Sequence, residues 1–448
     1  MKNKSERNSF SVGFISLGCP KNQVDTELML HKLVDAGYRI ETDAGNCDAV
    51  IINTCGFISD AKKESIEAIL DVASLRVESR KPNIIVTGCM AERYKFEIKE
   101  SMPETDGVIG LGANGDIVEV VDSVLSGEEV ERYPDKSDLP LNGERILTTP
   151  SYWAYVKISE GCSNNCAFCA IPKIRGKYRS RRIEDILEEV RSLAASGVKE
   201  LVLVAQDTSM YGRDIYGEFR LPELLREIAE TEGIRWIRFL YCYPERITRE
   251  LLETMNREPK ICKYLDIPLQ HADGRILSSM NRPGDRKSFE ELIVKIRESV
   301  PDISIRTTLM VGFPGETEEQ FEELAEFVKN VEFDNMGCFA YSPEEDTAAA
   351  KMDNQVDEDV KIHRQELIME LQYGIAVKKN EERLGTVTRV IIDGYSDEYE
   401  MYVGRTQWQA PEIDSVTYIE YDGSLSPGDF VTAEIIDYEG YDLVGRIY

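Results

Sequence analysis

Three cysteines near the middle of the chain restrict its possible structures more than any other feature of the sequence. Cys162, Cys166 and Cys169 follow the spacing C-x3-C-x2-C in the run Gly-Cys-Ser-Asn-Asn-Cys-Ala-Phe-Cys. Three thiolates in one loop can bind three irons of a cubane cluster and leave the fourth iron open. Zinc sites usually add a fourth ligand, and a ferredoxin-type cluster needs a fourth cysteine. The spacing therefore favours an iron–sulfur cluster with one open coordination position.

Three further cysteines each follow an apolar run in the amino-terminal part of the chain. Cys19, Cys55 and Cys89 come after residues 12–17, 49–52 and 84–86, which predict strands of a parallel α/β sheet. Because the carboxyl ends of parallel strands meet at one edge, these thiols are expected to lie together. Three unrelated buried cysteines are the alternative, and spacing alone leaves both open. The other four cysteines are interpreted as core or incidental thiols: Cys47, Cys242, Cys262 and Cys338.

The hydrophobic pattern predicts an α/β protein of three domains. Residues 10–127 form the parallel α/β domain, and the polar segment 127–147 with Pro134 and Pro140 is interpreted as a linker. Residues 148–384 contain six apolar runs that alternate with amphipathic helical patterns, which predicts a partial (β/α)6 TIM-like barrel. In residues 385–448 four short β-branched and aromatic runs predict a small antiparallel barrel.

The charge balance restricts the partners of the chain. It has 53 basic and 82 acidic residues, a net charge of -29, which opposes binding to nucleic acid and favours a neutral or basic partner. Residues 385–448 alone carry three basic and thirteen acidic side chains, a net charge of -10. The chain has no long apolar run and a polar start, so we expect no membrane insertion and a cytoplasmic location. In that compartment ten cysteines indicate metal or redox roles.

Two motifs in the predicted barrel complete a resemblance to a known family. Gly312-Phe-Pro-Gly-Glu-Thr317 follows the fifth strand, and Ile267-Pro-Leu-Gln-His271 lies in the fourth. Together with both cysteine patterns, they make nearly the whole chain resemble the radical S-adenosylmethionine (SAM) methylthiotransferases. The resemblance implies two [4Fe-4S] clusters. The cluster on Cys162, Cys166 and Cys169 would bind SAM, and the cluster on Cys19, Cys55 and Cys89 would hold the transferred sulfur.

Four residues are candidates for contact with SAM. Phe168 precedes the last cysteine of the central loop, where it can cover the adenine or the cluster. Gln206 and Arg306 lie at or near predicted strand ends, where they can bind the ribose or the carboxylate. Gly312, like Gly315, would let the backbone approach a ligand closely. The alternatives are structural hydrogen bonds for the polar residues and an ordinary strand-to-helix turn for the glycines.

The substrate is suggested by motifs at both ends of the chain. Leu17-Gly-Cys-Pro-Lys-Asn22 resembles the RimO type, which acts on a ribosomal-protein aspartate, whereas transfer-RNA enzymes resemble Gly-Cys-Gln-Met-Asn. Gly404-Arg-Thr and Ala410-Pro-Glu-Ile-Asp414 resemble the RimO version of the terminal TRAM domain. Gln409 and Ser415 depart from it, where an acidic residue and glycine are usual, and this puts fine substrate contacts in question.

The resemblance implies methylthiolation of the β-carbon of an aspartate in small-subunit ribosomal protein twelve. SAM would serve both as methyl donor and as source of the 5'-deoxyadenosyl radical. The partners implied are that basic protein, an electron donor such as flavodoxin or ferredoxin, and a sulfur source. Two other functions remain open at this point: a transfer-RNA adenosine methylthiotransferase, and a non-enzymatic iron–sulfur electron carrier or redox sensor.

Overall fold

The structure is a computed structural model that describes residues 2–76 and 81–448. The chain divides into two compact units. The first comprises Met1–Thr149, Lys157–Arg181 and Glu344–Thr347, and the second comprises Pro150–Val156, Arg182–Pro343 and Ala348–Tyr448. These bounds differ from the three predicted domains because the central cysteine loop belongs to the first unit. No helix in the described ranges is long and apolar enough to cross a membrane.

A six-stranded parallel sheet forms the centre of the first unit, in the order β2-β1-β3-β4-β5-β6. Its strands are β1 (Ser11–Ser16), β2 (Arg39–Ile40), β3 (Ala49–Thr54), β4 (Asn83–Gly88), β5 (Gly107–Ile109) and β6 (Val130–Arg132). Every residue of β3 is buried, as expected for a parallel strand covered on both faces. Strand β6 lies in the predicted linker, and that prediction was wrong there because an edge strand can be polar.

Helices cover both faces of this sheet. The helices of the first unit are α1 (Lys4–Arg7), α2 (Pro20–Ala36), α3 (Ser59–Ser74), α4 (Cys89–Arg93), α5 (Lys95–Ser101), α6 (Ile117–Val124) and α7 (Ile171–Arg175). Leu33 and Val121 belong to the apolar cluster on one face, and Ile69 and Ile98 to that on the other. After β7 (Trp153–Lys157), which begins in the second unit, the antiparallel strands β8 (Ser159–Glu160) and β9 (Arg179–Ser180) flank the central cysteine loop.

The second unit begins with the predicted partial barrel, whose six strands form two three-stranded sheets, β11-β10-β7 and β12-β13-β14. The strands after β7 are β10 (Glu200–Val204), β11 (Trp236–Phe239), β12 (Tyr264–Gln270), β13 (Ser304–Val311) and β14 (Asn335–Ala340). The helices are α8 (Ile183–Ala195), α9 (Arg213–Tyr216), α10 (Leu221–Ala229), α11 (Arg249–Arg257), α12 (Gly274–Ser279), α13 (Arg286–Ser299), α14 (Glu318–Val331) and α15 (Glu358–Glu382). This alternation of strands and helices confirms the predicted fold class.

The terminal part of the second unit is a closed barrel in the order β15-β16-β17-β19-β18. Its strands are β15 (Val387–Ser396), β16 (Met401–Thr406), β17 (Thr417–Glu420), β18 (Phe430–Glu439) and β19 (Asp442–Ile447). The prediction of a small barrel is confirmed, but the four predicted runs omit β19. The pairing of β17 with β19 is parallel, so the barrel is not wholly antiparallel.

Residues 406–415, which we call the docking segment, contact the amino ends of the central strands. The Trp408 carbonyl accepts hydrogen bonds from Ser304 Oγ and Asn335 Nδ2, both at 3.3 Å, and these residues begin β13 and β14. Tyr264, the first residue of β12, donates its hydroxyl to Asp414 Oδ2 at 2.7 Å. In barrels of this type, residues at the amino ends of the strands contribute to stability, and the catalytic residues lie at the carboxyl ends.

A buried ion group adds to this contact. Glu200, the first residue of β10, accepts from Arg238 Nε at 2.6 Å and from Arg405 of β16 at 2.8 Å. Arg405 also forms an ion pair with Asp393 at 2.8 Å. Removing one partner of such a group leaves an uncompensated buried charge, which costs several kcal/mol. Much of the RimO-like motif in the terminal barrel therefore binds the central barrel.

Candidate functional site

The amino-terminal cysteines lie at the carboxyl ends of the neighbouring strands β1, β3 and β4. Cys55 and Cys89 follow β3 and β4 directly, and Cys19 comes three residues after β1. A Cβ placed on Gly18 would lie 2.9 Å from Cys55 Sγ, so the loop of Cys19 passes directly over Cys55. The structure thus brings together the three loops that the sequence predicted to converge.

Asn22 connects these three loops through its side chain. Its Nδ2 donates to the carbonyls of Leu17 and Thr54, each at 2.9 Å, and its Oδ1 lies 3.7 Å from the Cys89 sulfur as acceptor. Asn53 donates to the Asn22 carbonyl at 2.8 Å and fixes the start of helix α2 on the sheet. The sequence motif included Asn22, but only the structure shows why an amide is needed, since it both donates and accepts.

The three thiols differ in their electrostatic surroundings. Burial opposes ionisation of Cys19, but the charges of Lys21 and Arg175 outweigh it and lower the pKa of that thiol. Burial raises the pKa of the Cys89 thiol to about 12, against the opposite effect of Arg175. Burial also raises the pKa of Cys55. Thiolates are the form that binds iron, and Arg175 acts to lower the pKa of all three thiols, so its charge favours ligation.

The central cysteines lie in a loop whose backbone is held at both ends. Gly161 has φ +74°, and a Cβ there would lie 2.3 Å from the Lys177 carbonyl, so only glycine fits. The Cys162 amide donates to the Gly176 carbonyl at 3.1 Å, and Asn164 Nδ2 donates to Cys162 Sγ at 3.5 Å. Cys162 and Cys166 are buried, whereas Cys169 and its neighbour Phe168 are half-buried. The loop therefore presents its last thiol and the ring to the surface of the first unit.

Both sets of cysteines fit an iron–sulfur cluster by their chemistry. All ten cysteines are free thiols. Across residues 2–76 and 81–448, no three His, Cys, Asp or Glu side chains form a site for a single metal ion. A cubane cluster takes its ligands on different irons, so its three cysteines need not converge on one point. Thiols without histidine suit such a cluster.

The candidates for SAM contact in the second unit occupy different positions along their strands. Gln206 follows β10 by two residues and Gly312 follows β13 directly, both at carboxyl ends. Arg306 lies near the amino end of β13, where it forms ion pairs with Asp266 at 3.1 Å and Asp414 at 3.4 Å. Arg306 therefore forms its ion pairs at the amino end of β13, whereas the chemistry is expected at the carboxyl end.

The two glycines of the Gly312–Thr317 motif have different surroundings. A Cβ on Gly312 would lie 2.2 Å from Lys361 Cγ of helix α15, so this glycine makes room for the helix. At Gly315 no atom lies within 4 Å of the Cβ position, and its φ of +83° still favours glycine. Of the two, only Gly315 leaves the open space expected for close approach of a ligand.

Helix α15 also holds this motif through Glu316. One carboxylate oxygen of Glu316 accepts from the Gly312 amide at 2.9 Å, and the other accepts from Arg364 at 2.8 Å. The sequence did not predict the roles of Lys361 and Arg364, because the residues of α15 do not indicate which part of the chain the helix packs against. Their separation by three residues on one helix face is the only signal the sequence contains.

Comparison with known proteins agrees with the geometry. TsrM from Kitasatospora setae, a radical S-adenosylmethionine methyltransferase, superposes with a TM-score of 0.57 at 13% identity, over 85% of this chain and 77% of that chain. At that identity the likeness concerns the fold alone. The Radical SAM superfamily profile matches residues 156–328, the profile of Uncharacterized protein family UPF0004 matches residues 11–110, and the TRAM domain profile matches residues 384–447. Fold, cysteine loop and profiles define a radical SAM enzyme.

Two relatives that match over nearly their whole length identify the family within the radical SAM enzymes. The chain is 49% identical to the ribosomal protein uS12 methylthiotransferase RimO of Thermoanaerobacter sp. (strain X514), over 97% of this chain and 99% of the relative. It is 50% identical to the protein of that name from Caldanaerobacter subterraneus subsp. tengcongensis, with the same coverage of both chains. The chain therefore belongs to the RimO family of radical SAM methylthiotransferases, whose cofactors are two [4Fe-4S] clusters and SAM.

Proposed function

We propose that this chain methylthiolates the β-carbon of an aspartate in ribosomal protein uS12. The observation that carries the proposal is that one compact unit contains two separate sets of three thiols, one set within a single loop and the other on three loops at one edge of the sheet. The sequences of the relatives named as uS12 methylthiotransferases match this chain over nearly its whole length. When bound, a cluster with an open iron supplies the electron that generates a radical from SAM, and a second SAM supplies the methyl group.

The two thiol sets have different tasks in this proposal. Cys162, Cys166 and Cys169 hold the cluster that binds SAM, in a loop whose last thiol is half-buried. The second set, Cys19, Cys55 and Cys89, holds the cluster that carries the transferred sulfur. The β-hydrogen of an aspartate is not acidic enough for removal by a side-chain base, so the reaction requires no general base from this chain. The electron comes from a donor such as flavodoxin or ferredoxin, and the sulfur from a separate source.

The acidic terminal barrel supports a basic protein as substrate. Near the turn between β15 and β16, Asp397, Glu398 and Glu400 are exposed beside Tyr395 and Tyr399. The three arginines of the barrel all lie against other side chains: Arg405 pairs with Glu200, Arg446 pairs with Glu420, and Arg389 lies over the Phe430 ring. A surface of this charge repels phosphates and attracts a protein rich in lysine and arginine.

Replacing the central cysteines tests the SAM-binding cluster. The triple variant Cys162→Ala, Cys166→Ala, Cys169→Ala should lose about half the iron of anaerobically reconstituted protein, because one of two cubane clusters loses its ligands. It should form no 5'-deoxyadenosine from SAM. A matched control is Cys242→Ala, Cys262→Ala, Cys338→Ala, since these thiols are buried and free and lie outside both sets. Zinc in place of iron, or SAM cleavage that survives the change, would contradict the assignment.

Replacing the amino-terminal cysteines tests the sulfur-carrying cluster. The variant Cys19→Ala, Cys55→Ala, Cys89→Ala should still cleave SAM under reducing conditions but form no methylthiolated product. Radical formation and sulfur supply would then belong to separate sites. Full product formation by this variant would show that the second set of thiols has no part in the transfer.

Analysis of a deletion strain tests the substrate. Mass spectrometry of ribosomal protein uS12 should show loss of the methylthio group, and the transfer-RNA nucleosides should be unchanged. Loss of a methylthio group from transfer RNA with normal uS12 would favour the nucleic-acid substrate instead.

A further inference from the structure

Arg175, the last residue of α7, uses all of its hydrogen-bond donors in the interior of the first unit. Its side chain is 1% exposed. Its Nε donates to Cys89 Sγ at 3.2 Å. One terminal nitrogen donates to Asp25 at 3.1 Å and to Glu160 at 2.9 Å, and the other donates to Asp25 at 3.1 Å and to Asn22. A guanidinium has five N–H groups in a fixed fork, and each has an acceptor here.

The charge of Arg175 belongs to a buried group of two cations and two carboxylates. Lys157 Nζ contacts Asp25 and donates to Glu160 at 2.8 Å, and all four side chains are buried. The carboxylates therefore fix the guanidinium in one orientation, with its Nε toward the sulfur. A lysine has only three donors on a flexible stem and cannot satisfy all of these acceptors.

The position of Arg175 in the chain ties it to both cysteine sets. It ends the short helix that follows Cys169, and its Nε contacts Cys89 of the other set. Its neighbours Asn22 and Asp25 lie on the first turns of α2, directly after Cys19. Arg175 thus links the helix that follows the central cysteine loop to the Cys89 sulfur.

We propose that Arg175 is a positioning residue that holds the Cys89 sulfur and raises the reduction potential of the cluster bound by Cys19, Cys55 and Cys89. This inference deepens the proposed function and rests on its assignment of a cluster to these cysteines. A donor and a positive charge at a ligand sulfur stabilise the reduced cluster, which carries one more negative charge. Without them the potential falls.

The experiment uses the full chain with Cys162→Ala, Cys166→Ala and Cys169→Ala as background, so that one cluster remains. A redox titration with mediators, followed by electron paramagnetic resonance, gives its midpoint potential. Arg175→Met should lower this potential, and Arg175→Lys, which keeps the charge but loses donors, should lower it less. The matched control is Arg7→Met, because Arg7 forms a forked contact with Asp122 in the same unit and lies over the Tyr38 ring, away from both cysteine sets.

Equal potentials in the background, Arg175→Met and Arg175→Lys proteins would overturn the inference. Loss of iron from both Arg175 variants, with circular dichroism unchanged and iron kept in the Arg7 control, would support it, since the Cys89 sulfur would then be misplaced. Loss of the folded state in both variants would overturn it and leave Arg175 a structural role only. A background protein that binds no iron would overturn the cluster assignment and, with it, this inference.

Discussion

At the scale of residues, the two departures from the family pattern in the terminal barrel form one feature. Gln409 Nε2 donates to Ser415 Oγ at 3.3 Å, and its Oε1 accepts from the Thr406 amide at 2.9 Å and from Thr417 Oγ1 at 2.7 Å. An amide in place of a carboxylate brings a donor that needs an acceptor, and serine supplies one where glycine has none. Gln409 is buried and Ser415 is half-buried, so their side chains serve the internal hydrogen bonding of the second unit.

Replacing Gln409 should therefore destabilise the second unit. Gln409→Leu leaves the Thr406 and Thr417 donors buried without an acceptor, which costs about 1–3 kcal/mol. Gln407→Leu is the matched control, because the Gln407 side chain accepts a long bond, at 3.4 Å from the Lys263 amide. Urea unfolding measures both. Equal loss of stability in the two variants would contradict the role of the Gln409 network.

The cysteines of the site were predictable from the sequence, and most of their partners were not. Cys19, Cys55 and Cys89 follow strands, and strand order alone brings such positions to one edge of the sheet. Arg175 lies in a basic run that local pattern cannot separate from a solvated surface, and only tertiary packing turns it toward Cys89. A buried ion group leaves no periodic signal, because its members come from distant segments.

At the scale of elements, prediction succeeded where apolar periodicity was strong. The amphipathic pattern of residues 183–195 predicts helix α8, and the apolar run 304–311 predicts strand β13, with the bounds that the structure has. Strands β6 and β19 were missed because polar residues interrupt them, Glu131 and Arg132 in one and Asp442 and Arg446 in the other. Because edge strands and barrel strands are buried on one side at most, their sequences contain many polar residues and resemble those of loops.

The packing of α15 on the Gly312–Thr317 motif predicts unequal effects of alanine at its two glycines. Gly315→Ala costs only the left-handed backbone conformation, about 1–2 kcal/mol. Gly312→Ala adds a collision with the Lys361 stem, which costs about 1–3 kcal/mol more. Unfolding midpoints measure both, and Lys361→Ala should restore part of the loss in the Gly312→Ala protein. If Gly315→Ala were the more damaging change, the close contact with α15 would not limit this position.

At the scale of the whole molecule, the net charge of -29 governs how the chain meets its partners. Single exposed charge pairs contribute little, but the summed field steers association over a range set by ionic strength. Much of the field at the terminal barrel comes from exposed carboxylates such as Asp397, Glu398 and Glu400. Charge therefore influences the rate of encounter more than the strength of any one contact.

Neutralising that face should slow association with uS12. The full chain with Asp397→Asn, Glu398→Gln and Glu400→Gln should associate more slowly than the unchanged chain, with a weaker dependence on salt. Glu227→Gln, Glu230→Gln and Glu232→Gln is a control of equal charge, since these residues are exposed on or after α10. Stopped-flow or surface-binding kinetics at low and moderate salt measure the rates. Salt-sensitive binding to transfer RNA but not to uS12 would contradict a protein substrate.

The docking segment has a consequence for the order in which the molecule is completed during synthesis. Glu200 and Arg306 leave the ribosome long before their partners Arg405 and Asp414, so the amino ends of the central strands gain these contacts only after the terminal barrel is made. A chain that ended at residue 384 would keep both cysteine sets and the six barrel strands. It would nevertheless leave Glu200 paired with Arg238 but without Arg405, and it would expose the amino ends of β13 and β14. The terminal barrel thus completes the radical SAM core, although it is made after every strand of that core.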